Sequence, residues 1–277
     1  MIPRLVRAAE PQPLLRAENV TLEYGGRART VRATEDVSFD VYEGDRFVLL
    51  GASGCGKSSL LRAAGGFLAP ASGRFTLDGA TIGKPGPDRL MVFQEFDQLP
   101  PWKTVLQNVM FPLLKARGLP RKEATERARH WIARIGLERF EDAFPHQLSG
   151  GMKQRVAIAR ALAMQSRVLL MDEPFAALDA LTRRRMQEEL VGLWQEERFT
   201  LLFVTHSIEE ALLVGSRILL LSPHPGRVRA ELNSHQYGFA GIGSPEFRAA
   251  ERRIAELLFD LPPEAQDSTG SAGRIAL

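Results

Sequence analysis

Residues 51–58 read GASGCGKS: a glycine, four residues, then Gly-Lys-Ser. The apolar run 47–50 precedes them and residues 59–64, SLLRAA, follow. Few folds accept such a string. The apolar run reads as a buried strand and the following residues as the first turns of a helix, the strand–loop–helix unit in which this spacing holds phosphate. Gly51, Gly54 and Gly56 let the backbone turn tightly and bring several N–H groups to one point, where the positive end of the helix also lies. Lys57 adds a full charge near the terminal phosphates. Ser58 offers an oxygen to Mg²⁺, a hard ion that prefers oxygen ligands. Ser53, Cys55 and Ser59 complete the candidate loop, Cys55 through its backbone N–H and not as a nucleophile.

The rest of the composition sets bounds. A chain of 277 residues suffices for one large domain or two lobes. Its 44% apolar and 25% charged residues are ordinary for a globular protein, and a net charge of +3 is too small to argue for nucleic acid. One cysteine excludes an internal disulfide and points to an intracellular setting. No run approaches the ~18 apolar residues that span a bilayer. Residues 1–20 lack the apolar core of a secretory signal. The expectation is a soluble, cytosolic protein that reaches a membrane only by docking on another chain.

Residues 1–13 read as a flexible arm. Short β-type runs follow at 15–22, 34–42 and 46–50, with turns at Gly25-Gly26 and 43–45. Further β-type runs cover 73–77 and 91–93. The pattern then becomes helical, at 105–114 and 121–135, where Ala124, Ala128, Trp131, Ile132 and Ile135 recur at three- and four-residue spacing. After Pro145 another helix is expected over 151–164. The block from about 95 to 165 therefore reads as a helical insert in an α/β order. Strands at 168–171, 200–205 and 217–221 then alternate with helices at 181–197 and 208–214, which argues for a mainly parallel sheet. Residues 222–277 read as PHPGR, a Gly- and Pro-containing linker, a helix at 245–258 and a polar tail from Pro262 expected to be disordered.

Several residues acquire candidate roles from position. Asp172 and Glu173 end an apolar strand, the place where ligands bind in open α/β sheets. Asp172 suits Mg²⁺, and Glu173 suits polarising an attacking water. Gln94 follows a strand at the edge of the insert, where a neutral amide reaches metal and water without adding charge. His206 ends the strand 200–205, and its imidazole suits the γ-phosphate or the water. Tyr24, upstream of the loop, offers a ring to stack on adenine. Ser149, Gly150 and Gly151 open a helix and form a second N–H-rich anion grip. Two grips and one phosphate loop suggest a site composed from two copies.

These elements together resemble the nucleotide-binding subunits of ABC transporters. GASGCGKS is similar to the Walker A motif, LSGGMKQR at 148–155 to the family signature, and LLMDEP at 169–174 to the Walker B strand with its glutamate. Gln94 corresponds to the Q-loop, residues 177–179 (ALD) with Asp179 to the D-loop, His206 to the switch histidine and Tyr24 to the adenine-stacking aromatic. The resemblance covers about residues 14–222. It departs at Met152, where Gln or Glu is more frequent, and in a few extra residues around 27–30. VFQEFDQLPPWKTVLQNV at 92–109 resembles importer ATPases for nitrate, taurine and aliphatic sulfonates, with Pro100 in place of a leucine.

What the resemblance implies is specific. The fold is an α/β P-loop NTPase of the ABC ATPase type: a mainly parallel sheet core, an antiparallel β subdomain and a helical subdomain. The ATPase domain spans 14–222, a C-terminal extension 223–260 and a disordered tail 261–277. ATP and Mg²⁺ bind, the ion at Ser58, Gln94 and Asp172, and Lys57, Glu173 and His206 serve hydrolysis. The partners are a second ATPase subunit, membrane permease subunits and, indirectly, a solute-binding protein, with the chain on the cytoplasmic face of the inner membrane. Other transport systems (thiamine-precursor, aromatic-acid or lipid) and a soluble non-transport ABC ATPase are the alternatives.

Overall fold

The computed structural model describes residues 12–26, 29–93 and 98–259. Gln94, Arg27, Ala28, most of the N-terminal arm and the tail from residue 260 lie outside the described residues.

Two sheets face one another across part of the core. Strands β1 (Leu15–Gly26) and β2 (Arg29–Val41) form a hairpin, and with β4 (Ser72–Leu77) and β5 (Ala80–Thr81) make an antiparallel sheet of order β2-β1-β4-β5. Of the extra residues noted near 27–30, Arg29 and Thr30 open β2, Arg29 pairing with Gly26 and Thr30 with Gly25. The second sheet has six strands: β3 (Arg46–Leu50), β6 (Arg89–Val92), β7 (Val168–Asp172), β8 (Thr200–Thr205), β9 (Arg217–Leu221) and β10 (Val228–Asn233). Their order is β10-β9-β3-β8-β7-β6, all pairs parallel except β10 on β9.

Period-two alternation places the core. Every residue of β3, β7 and β8 is buried, as expected for parallel strands covered on both faces. Phe47, Leu49, Leu170, Leu202 and Val204 point to one side, against α1 (Lys57–Ala64) and the antiparallel sheet. Val48, Leu50, Leu169, Met171, Leu201 and Phe203 point to the other, where the remaining helices pack. Phe203 is fully buried, its ring tilted against that of Phe175 with centroids 6.0 Å apart, so Phe203→Ala is expected to cost about 3–5 kcal/mol.

The helical block consists of α2 (Val105–Lys115), α3 (Arg121–Arg134) and α4 (Gly150–Ala163). Thr104 starts α2 with a reciprocal cap, its hydroxyl accepting from the Gln107 N–H while the Gln107 side chain accepts from the Thr104 N–H. α3 buries Ala124, Ala128, Trp131 and Ile132, one stripe of an otherwise charged helix. α5 (Ala180–Glu197) and α6 (Ile208–Val214) connect the last strands of the parallel sheet.

One segment differs from its sequence reading. Residues 228–233, read as part of a linker, form β10 and close one edge of the central sheet. Val228, Ala230 and Leu232 alternate with Arg229, Glu231 and Asn233 there. The apolar half of that pattern is weak, and the strand is selected by pairing with β9 rather than by its own composition. Beyond it, α7 (Pro245–Phe259) seats Phe247, Ile254 and Leu258 in the same apolar cluster as α6.

Candidate functional site

The loop after β3 enters α1 through two left-handed glycines, Gly54 at φ +81° and Gly56 at φ +91°. Gly56 is needed twice over, since a Cβ there would also sit 2.4 Å from Thr34 Cγ2 and 2.8 Å from the Ala33 carbonyl oxygen. Side chains cap α2, α4, α5 and α6, from Thr104, Ser149, Asp179 and Ser207 respectively. The start of α1 has no side-chain cap, and its N-cap is Gly56. Its first-turn N–H groups are therefore free for an external anion, at the end where the helix dipole favours one.

Lys57 is buried, with 4% of its surface exposed, and its Nζ donates to the carbonyl oxygens of Gly51 (2.8 Å) and Ala52 (2.9 Å). Among the described residues no carboxylate forms an ion pair with it. A full positive charge therefore stands at the centre of the loop, held by two carbonyl oxygens with the Cys55 sulfur 4.0 Å away. Cys55 is buried within the same loop, and that burial pushes its thiol pKa up, the opposite of an activated nucleophile.

Next to the loop, Ser58 Oγ donates to Asp172 Oδ1 at 2.7 Å. Burial pushes the Asp172 carboxyl pKa up, and the Ser58 hydrogen bond only partly offsets it. A desolvated carboxylate beside a hydroxyl is a donor set of hard oxygens that a divalent cation would compensate, and so fits Mg²⁺.

Glu173 follows with φ +43°, a left-handed conformation costly for a residue with a Cβ. Its N–H still donates to the Val204 carbonyl at 3.1 Å, which extends the β7–β8 ladder one residue past the strand. The twist swings its side chain to His206, whose Nδ1 lies 2.9 Å from Glu173 Oε2. Tyr24 stands on the other flank of α1: its hydroxyl donates to Ser59 Oγ at 2.8 Å while the residue stays 40% exposed.

Thus Tyr24, the loop with Gly51, Ser53, Gly54, Cys55, Gly56, Lys57, Ser58 and Ser59, and the strand-end residues Asp172, Glu173 and His206 converge on one region. Ser149, Gly150 and Gly151 do not join it. Ser149 caps α4 by accepting from the Met152 N–H at 3.3 Å, and the Cα of Gly151 faces Thr182 of α5. Asp179 caps α5 by accepting from the Thr182 N–H at 3.0 Å, and that hydrogen bonding lowers its pKa. Ser149, Gly151 and Asp179 thus share a separate face around the starts of α4 and α5, and among the described residues none of them hydrogen-bonds to the loop 51–58.

Three supporting groups carried no sequence signal. The Arg183 guanidinium donates to the carbonyls of Phe175 (3.2 Å), Ala176 (3.3 Å) and Leu178 (2.9 Å), and so shapes the loop between Glu173 and Asp179. Buried Glu210 accepts from Gln187 Nε2 at 2.8 Å, tying α6 just past His206 to α5; burial raises its pKa. At the end of β6, the Gln98 side chain bonds both the N–H and the carbonyl of Phe93, and Arg160 of α4 donates to the Gln98 carbonyl at 2.9 Å. In sequence each reads as an ordinary helix or loop polar residue.

Comparison with known proteins bears on the family and the fold. A family model described as ABC transporter matches residues 34–176. The chain is 48% identical over 246 residues to the taurine import ATP-binding protein TauB of Rhizobium johnstonii, covering 88% of this chain and 93% of that protein. It is 47% identical to the uncharacterized ABC transporter ATP-binding protein MJ0412 of Methanocaldococcus jannaschii, covering 89% and 91%. Among solved structures it is similar to a dimeric post-hydrolysis state of the ATP-binding cassette MJ0796 bound to ADP and Pi, with TM-score 0.69 and 35% identity over 81% of this chain and all of that one. It also resembles cbiO1 of Clostridium perfringens, part of the transporter complex cbiONQ, with TM-score 0.73 and 29% identity over 89% and 97%.

Proposed function

The chain belongs to the ABC transporter family as an ATP-binding, ATP-hydrolysing subunit, and from that premise we propose how its residues divide the work and what it helps to carry. The reading is of a motor that couples ATP hydrolysis to uptake of a small anionic solute of the taurine, alkanesulfonate or nitrate type through separate membrane subunits. The taurine-importer relatives support that solute class, as does the segment at 92–109. Among the described residues no helix is long and apolar enough to cross a membrane, so the peripheral position on the cytoplasmic face rests on docking to a permease.

The loop N–H groups and Lys57 bind the β- and γ-phosphates, Lys57 trading its two carbonyl acceptors for charged oxygens, an exchange that strengthens its hydrogen bonds. Tyr24 stacks on the adenine, in keeping with its exposed ring beside α1. Ser58 and Asp172 would hold Mg²⁺, with Gln94 as a further ligand; when bound, the ion neutralises charge on the phosphates. Glu173 orients the attacking water and accepts its proton, while His206 holds the Glu173 carboxylate and, on releasing it, donates to the terminal phosphate.

The separate face at 149–151 and Asp179 completes this site from a second copy. Ser149 to Gly151 of one subunit would close on the nucleotide held by Lys57 of the other. ATP favours the closed pair because its terminal phosphate meets both chains, and that differential affinity drives the cycle. The single observation that carries the reading is the convergence of Lys57, the Ser58–Asp172 pair and the Glu173–His206 pair at the carboxyl ends of β3, β7 and β8. The test is uptake by vesicles holding this subunit with its permease and binding protein, ATP inside and taurine, an alkanesulfonate or nitrate outside. ATP-dependent accumulation of one of them is expected; equal uptake with and without ATP for all three would refute the reading.

A further inference from the structure

The turn between β9 and β10 lies against the back of the phosphate loop. It closes on itself through Ser222, whose Oγ accepts from the Arg227 N–H at 2.9 Å and donates to the Pro225 carbonyl at 3.0 Å. Its Gly226 is packed so closely that a Cβ there would stand 2.0 Å from the Cys55 carbonyl oxygen. Gly226 is not among the residues at positive φ. Its lack of a side chain is therefore required by the approach of the loop and not by backbone conformation.

Gly226 is also fixed from its other side. Its N–H donates to the Ala33 carbonyl and its carbonyl accepts from the Glu35 N–H, both at 2.9 Å, so that the turn pairs with β2. Arg227 adds an ion pair to the Glu35 carboxylate, which Arg32 also contacts. The same stretch of β2 presses on the loop directly, with the Ala33 carbonyl and the Thr34 methyl against Gly56. Leu221, where β9 ends, backs Gly51. The loop is thus wedged from behind at Gly51, Cys55 and Gly56 by β2 and by the turn 222–227.

The direction of these contacts matters. In a planar trans peptide unit the C=O of one residue and the N–H of the next point opposite ways. Holding the Cys55 carbonyl toward Gly226 aims the Gly56 N–H to the far side of the loop, away from the turn. We propose that the turn 222–227, through Gly226 and the Arg227–Glu35 pair, is a positioning element of the nucleotide site that orients the Cys55–Gly56 peptide and thereby sets nucleotide affinity. The inference rests on the reading of residues 51–59 as the phosphate-binding loop. It makes the start of the C-terminal extension part of the nucleotide site's support.

The experiment is calorimetric titration of the full chain with ADP and Mg²⁺, paired with steady-state ATPase kinetics and nucleotide-free melting. Gly226→Ala is expected to weaken ADP binding about tenfold or more, the equivalent of at least one displaced loop contact. Arg227→Ala is expected to raise Kd and KM about threefold with kcat and melting temperature unchanged, because the ion pair is exposed. Arg227→Lys, which keeps the charge, is expected to restore most of the affinity. Should Gly226→Ala fail to fold, the comparison of Arg227→Ala with Arg227→Lys decides. Wild-type affinity in Gly226→Ala and Arg227→Ala, with Lys57→Ala weakened, overturns the proposal and leaves the phosphate loop standing. Unaltered affinity in Lys57→Ala removes the loop assignment and the proposal together.

Discussion

His206 Nδ1 lies 2.9 Å from Glu173 Oε2, and the pairing constrains where the imidazole proton sits. A carboxylate oxygen accepts, so in this contact the hydrogen is assigned to Nδ1, and a ring with its one hydrogen there offers Nε2 only as an acceptor. A neutral His206 in this arrangement cannot donate to a phosphate oxygen. It must release Glu173, or the ring must carry both protons. The pair thus couples the residue proposed to direct water to the residue proposed to sense the terminal phosphate.

Glu173→Gln acts on both. The amide can donate to Nδ1, which shifts the proton of His206 to Nε2 and makes it a phosphate donor. Turnover should fall by about 10²–10⁴, the range for a lost general base, while ATP binding persists and the two-subunit form accumulates on size-exclusion chromatography with ATP. Wild-type turnover would remove the role given to Glu173.

Lys57→Ala deletes the one cation at the centre of the loop. With a charged hydrogen bond worth roughly 1.5–3 kcal/mol, ATP affinity should drop about tenfold to a hundredfold, with no measurable turnover. Isothermal titration and a phosphate-release assay check both; unchanged values on the two would contradict the loop assignment.

Asp172 carries a pH signature. Burial raises its native pKa above that of the unfolded chain, so the native state holds this proton more tightly. The contribution to stability is complete below the unfolded value and is lost as pH rises through the native value. Asp172→Asn removes the dependence. Melting curves between about pH 4 and 8, without nucleotide, should show the variant gaining on the wild type as pH rises. Its Mg²⁺-dependent ATPase should fall at least about a hundredfold. A variant less stable than wild type near neutral pH would contradict the desolvation argument.

Cys55 is expected to be inert. With the thiol buried and its pKa raised, the thiolate is scarce, and fewer than about one in ten native molecules should react with a thiol reagent in the time that denatured protein reacts fully. Rapid labelling of the native chain would refute the packing described for the loop.

Trp102 is 72% exposed just before α2, and Phe111 of α2 is 42% exposed with Lys103 over its ring. If this face docks the permease, Trp102→Ala should leave the ATPase of the isolated subunit within about twofold. Binding to the permease should weaken by about tenfold or more, the scale of a tryptophan hot spot. Equal retention of both forms by immobilised permease would exclude the surface.

The strand–loop–helix unit at 46–64 and the alternation of strands and helices after 165 were readable because their signals are local: fixed glycine offsets, apolar runs of strand length, helical spacing. What escaped reading depends on residues far apart in the chain. The Glu173–His206 contact joins two strand ends, and a left-handed glutamate has no sequence mark. Arg183 looks like any charged helix residue, yet its fork holds three loop carbonyls. Gly226 looks like a turn glycine, and only the packed fold shows the Cys55 carbonyl behind it. β10 is not legible because three small or aliphatic residues in six do not outweigh their charged and polar neighbours until β9 offers an edge.

That edge has a practical consequence. Cutting the polypeptide after Leu221, where the family resemblance nearly stops, would strip β10 from β9 and lift Phe247, Ile254 and Leu258 off the apolar surface they cover. The trimmed protein would expose a row of unmet backbone donors and acceptors beside bare hydrocarbon, the recipe for edge-to-edge aggregation. Minimal versions of this subunit meant for crystallisation or assay should therefore retain residues through at least Phe259 to stay soluble.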